Sequence, residues 1–100
     1  MGANPRTIID KLWDAHVIAT RDDGDCLLWV DRHFVHEGSH HGFAQVRDRG
    51  ATIARPDLTF GTADHYVATR RGAIQDQDCV RMVRQLTQNC ADHGIVCFGD

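Results

Sequence analysis

The run Leu27-Leu28-Trp29-Val30 most constrains how this chain can fold. Four consecutive apolar residues mark a strand buried on both faces, and such strands belong to parallel sheets covered by helices. The chain then changes character abruptly, to Asp31-Arg32-His33-Phe34-Val35-His36-Glu37. An interior strand that ends in acid, guanidinium and imidazole groups presents a site, because ligands of open α/β sheets bind at the carboxyl ends of strands. A second stretch repeats the design, with Leu58-Thr59-Phe60-Gly61-Thr62-Ala63 and then Asp64-His65. Two strands therefore deliver acid and imidazole to one edge.

The remaining segments supply helices between the strands. Thr7 with Asp10 three residues on forms a capping pattern, and Ile8, Ile9, Leu12, Trp13 and His16 then mark one face of a helix ending near Val17. His16 on that face reads as a structural histidine. Arg21-Asp22-Asp23-Gly24-Asp25 is a turn in which Gly24 is free to take positive φ. The first strand runs from Cys26 to about Asp31. Ser39 is placed to cap a short helix from His40 to Arg49, Pro56 fixes a turn, and the second strand covers 58–63. Val80, Val83, Leu86 and Cys90 recur at helical spacing within 75–93, and Gly94 stands where a left-handed residue ends a helix. Ile95-Val96-Cys97-Phe98 is a third strand. The order α-β-α-β-α-β predicts an α/β fold, a parallel sheet with flanking helices. With no repeat or linker, residues 1–100 read as a single unit. A chain that stops on an apolar strand reads as the opening part of something larger.

Composition narrows the function. Eleven Lys and Arg against fourteen Asp and Glu give a net charge of −3, and there is no basic patch with interleaved aromatics, which argues against nucleic acid. Seven histidines are present, and five of them (His33, His36, His40, His41 and His65) cluster at or near the two strand ends. Imidazole is the group that titrates near neutrality and the commonest metal ligand, so the cluster suits proton transfer or metal binding. Cys26, Cys79, Cys90 and Cys97 contain no C-x-x-C pair and read as small core residues, with no metal site among them. No signal peptide or membrane-length apolar run is visible, so a cytoplasmic protein is expected.

These motifs resemble the aconitase superfamily, and most closely the amino-terminal part of the isopropylmalate dehydratase large subunit. The resemblance rests on Asp10-Lys11-Leu12-Trp13-Asp14-Ala15-His16-Val17, on Leu27 to Glu37, on Arg55-Pro56-Asp57-Leu58-Thr59-Phe60 with Asp64-His65, and on Asn89-Cys90 with Gly94. It implies part of the larger iron-sulfur-domain fold of that superfamily. The implied activity is that of a hydro-lyase: dehydration and rehydration of a hydroxy-dicarboxylate, interconverting 2- and 3-isopropylmalate in leucine biosynthesis. The parent would carry a [4Fe-4S] cluster and a small dehydratase subunit as partner.

Residue by residue, the resemblance implies that His65 assists protonation of the departing hydroxyl while Asp64 holds its ring. His33, His36, Glu37 and Ser39 would line the substrate site, and His41 falls where the family has a substrate-contacting glutamine. Asp31 and Arg32 would support the loop. For His33, His36 and Glu37 a supporting hydrogen-bond role is an equal alternative. The family's cluster cysteines, serine base and substrate-clamping arginines have no counterpart in these hundred residues, so the chain by itself is expected to be inactive. Two rival functions stay open: a related aconitase-type, homoaconitase-type or substituted-malate hydratase, and a non-catalytic histidine-rich module that binds metal or another subunit.

Overall fold

Thr7 opens the first helix, α1 (Ile8–His16), in the manner its sequence suggests: its hydroxyl accepts from the Asp10 N–H at 3.0 Å while the Asp10 carboxylate accepts from the Thr7 N–H at 3.2 Å. This computed structural model describes residues 2, 4–70 and 72–99. They form two compact units, residues 1–31 and 32–100. No helix among the described residues is long and apolar enough to cross a membrane.

In the first unit α1 passes directly into strand β1 (Val17–Thr20), which pairs antiparallel with β2 (Cys26–Leu28). The acidic turn joins them, with Gly24 at φ 92° and the Arg21 N–H donating to Asp25 O at 2.8 Å. This corrects the expected first strand over 26–31. Only its first three residues are in a strand, and that strand belongs to a local hairpin rather than to the parallel sheet. The reason is proximity. A five-residue turn closes this pair at little entropic cost, and an apolar run alone does not say which partner satisfies its backbone.

The second unit carries the parallel sheet. Its strands are β3 (His33–Val35), β4 (Thr59–Thr62) and β5 (Val96–Phe98), in the order β3-β4-β5. Helix α2 (His40–Asp48) connects β3 to β4, and α3 (Gln77–His93) connects β4 to β5. The alternation of strand and helix expected from the sequence is therefore present, as is the α/β class. It starts from His33, after the apolar run. Asp76 caps α3 by accepting from the N–H groups of Asp78 and Cys79 at 2.8 and 3.1 Å, and Gly94 ends it at φ 68°.

Val35, Phe43, Leu86, Cys90 and Ile95 form the buried core between the sheet and these two helices. Gly61 is required there, because a Cβ on it would stand 2.5 Å from Cys90 Sγ and 3.2 Å from Cys97 Sγ. Helix α3 can thus lie close against β4. On β4, Thr59 and Gly61 are buried, while Phe60 alternates to the other face and meets Phe34 and Phe98 at ring distances of 5.9 and 6.0 Å.

Candidate functional site

The chain leaves β3 at Val35 and turns at once into a single 3-10 turn, Glu37–Ser39. Two local bonds shape that turn. The Gly38 N–H donates to His36 Nδ1 at 3.0 Å, and the His36 N–H donates to Ser39 Oγ at 3.1 Å. Ser39 does sit at the start of α2, yet its hydroxyl makes no cap bond to the helix. The expected N-cap is thereby corrected: the hydroxyl accepts from the preceding turn, and the turn itself delivers the chain into the helix.

Glu37 is the buried centre of this corner, at 1% exposure. Its carboxylate accepts from the Asp64 N–H at 2.9 and 3.0 Å, from the His65 N–H at 3.2 Å and from the Tyr66 N–H at 3.2 Å. Those three residues follow β4 after Ala63, so the acid at the end of one strand holds the loop at the end of its neighbour. Burial pushes the Glu37 carboxyl up, but the amides of Asp64, Glu37 itself, His65 and Tyr66 outweigh it and leave the group below its ordinary value. It is a carboxylate at neutral pH.

The loop so held presents Asp64 and His65 on the surface. His65 Nδ1 lies 3.2 Å from Asp64 Oδ2, and both side chains are more than half exposed. The His65 ring stacks on the ring of His36 at 4.5 Å between centroids, with 15° between planes. Nδ1 of His65 faces Asp64, and Nε2 is the other ring nitrogen.

Of the residues singled out in the sequence, the structure brings together His36, Glu37, Asp64 and His65. Ser39 supports the same turn. His33 lies at the opposite, amino end of β3, opposite Thr59 in the ladder, where it lines a cavity of about 320 Å³ with Val35, Phe43 and Ile53. His41 is exposed in the first turn of α2, and its ring packs on His40 at 3.9 Å. Asp31 pairs with His16 Nε2 at 3.1 Å in the first unit, where His16 Nδ1 also meets Leu12 O at 2.6 Å. Arg32 adds to the field on Asp57, whose carboxyl is held low mainly by its two-pronged bond with Arg55 at 2.7 and 2.9 Å. The clamp by Glu37 and the imidazole stack carry no signal in the sequence, since both join residues far apart in the chain.

Potential ligand atoms of His36, Glu37 and His65 lie within 4.8 Å of one another. They do not make a good cation site. Stacked imidazoles send their in-plane lone pairs side by side rather than to one point, and the carboxylate is already spent on three amides. The cysteines do not fit an iron-sulfur cluster either. Within the second unit, Cys79 precedes Cys90 on α3 by roughly 16 Å of helix. Burial, with Cys97 beside it, pushes the Cys90 thiol up to about 12.

No family profile matches the chain, and no solved structure does. Among curated proteins it is 42% identical over 106 positions to the 3-isopropylmalate dehydratase large subunit of Anaeromyxobacter dehalogenans, a match that covers 98% of this chain and 22% of that protein. The chain spans about a fifth of the length of that relative. The resemblance read from its motifs is therefore one of descent: over nearly its whole length the chain is homologous to part of the 3-isopropylmalate dehydratase large subunit.

Proposed function

We propose that this chain forms the Asp64–His65 corner of a hydro-lyase of the 3-isopropylmalate dehydratase type, acting on a hydroxy-dicarboxylate. The observation that carries the reading is the Asp64–His65 contact at the carboxyl end of a parallel strand, in a chain homologous to that subunit. In the dehydration direction a C–O bond breaks and the hydroxyl leaves as water after taking a proton. His65 is the donor of that proton from Nε2. Asp64, in contact with Nδ1, holds the ring. In the hydration direction the same imidazole takes the proton back.

His41, on the first turn of α2, and Ser39, in the turn before it, are the next candidates for contacts to a substrate carboxylate. The base that removes the carbon-bound proton, the [4Fe-4S] cluster of the parent and the small partner subunit are supplied from outside these hundred residues.

The test is made on the native gene product, purified without air. Intact mass, iron content and isopropylmalate dehydration are measured for the natural protein and for His65→Gln. A protein several times longer than this chain, with about four irons and activity lost in the variant, supports the reading. A native protein of only these residues, or a His65→Gln variant with undiminished turnover, overturns it.

A further inference from the structure

We propose that Glu37 is a positioning residue: its buried carboxylate sets the backbone of residues 64–66 so that the His65 ring lies against His36 and beside Asp64. The proposal rests on the reading of His65 as proton donor. It assigns Glu37 a role through the backbone and no contact with substrate.

Three observations point to it. Glu37 is almost fully buried, and a buried carboxylate is costly unless its oxygens are fully bonded. Here they are bonded by three successive amides, with His36 Nδ1 3.8 Å from Oε2. Charge-assisted bonds of this kind are stronger than neutral ones, so they can hold a loop that has no helix or strand of its own. Finally, the side chains just beyond those amides are the ones that must be aimed. The Asp64 contact and the His36 stack fix the His65 ring from two directions, and both depend on where its backbone lies. A displacement of about 1 Å at a catalytic group can cost on the order of a hundredfold in rate. That is why a buried acid on the neighbouring strand matters to the chemistry.

Glu37→Gln keeps the shape and one acceptor oxygen, but it turns an NH2 group toward amide N–H groups that need an acceptor. In NMR spectra of the chain, we expect the amide signals of Asp64, His65 and Tyr66 to move together and the His65 ring signals to lose the shift imposed by His36. Signals of the sheet should stay in place. In the native enzyme the variant should lower kcat by about tenfold or more with KM nearly unchanged.

A second measurement on the unaltered chain does not depend on the variant folding. Its amides at 64, 65 and 66 should exchange with solvent more slowly than those at 68 and 69, which lie in the same loop. Equal exchange rates overturn the proposal. So does a Glu37→Gln protein that melts earlier while its His65 ring signals stay unchanged, because that is a structural role alone. Undiminished turnover in His65→Gln would instead remove the catalytic reading and leave both NMR readouts standing.

Discussion

His36 and His65 stack ring on ring, 4.5 Å apart and 15° from parallel, joining the ends of two neighbouring parallel strands. His36 itself is tied down, its Nδ1 accepting from the Gly38 N–H at 3.0 Å. The exposed partner thus leans on a ring that the turn already holds. Replacing His36 with Leu removes the aromatic face and that bond. The His65 ring signals should then shift and broaden, and turnover in the native enzyme should fall by several-fold, in keeping with about 1 kcal/mol for a ring pair. An unchanged His65 spectrum would show that the stack does not hold the ring.

Acid should release the corner. The Glu37 carboxyl lies below its ordinary value of 4.5 in the folded chain, so its contribution to stability is present above pH 4.5 and is lost as pH falls through the lower folded value. Thermal unfolding followed from pH 6 to pH 3 should show a drop in Tm that starts below pH 4.5 and is reduced in Glu37→Gln. A drop of equal size in the variant would place the acid sensitivity elsewhere.

The first unit should respond in the opposite direction. The Leu12 carbonyl, and then Asp31, raise His16 above its ordinary 6.5. That contribution is therefore complete below pH 6.5 and is lost as pH rises through the folded value. The two tryptophans of the chain, Trp13 and Trp29, line a groove with His16, so fluorescence reads this unit alone. A transition above pH 6.5 is expected, moving to lower pH in Asp31→Asn.

Two glycines should behave oppositely. Gly61→Ala puts a methyl 2.5 Å from Cys90 Sγ and should destabilise by about 1–3 kcal/mol. Gly42→Ala, within α2, meets nothing within 4 Å and should stabilise by about 0.5–1 kcal/mol through helix propensity. Denaturant unfolding of the two variants checks both signs.

Leu86→Ala empties the middle of the core, where Leu86 is only 2% exposed. A loss of about 2–5 kcal/mol is expected. The corresponding fall in Tm is roughly 8 °C or more, and a smaller shift would mean that α3 collapses into the cavity.

Much of this protein is determined by local sequence. The capping pair Thr7 and Asp10, the Gly24 turn, the start and the glycine stop of α3, and the strands around Phe60 and Cys97 arise from side chains that act on their own backbone within a few residues. The Asp64-His65 pair is legible for the same reason, since neighbours in sequence are neighbours in space. Tertiary structure alone decided the rest. The run Leu27-Leu28-Trp29-Val30 carries equal apolar character whether its partner is a parallel strand or the hairpin with Val17–Thr20, and only the pairing itself distinguishes the two. Glu37 could as well have faced a ligand. Its role as the acceptor for the 64–66 amides arises because β3 and β4 lie side by side, a relation between distant segments that no local pattern encodes.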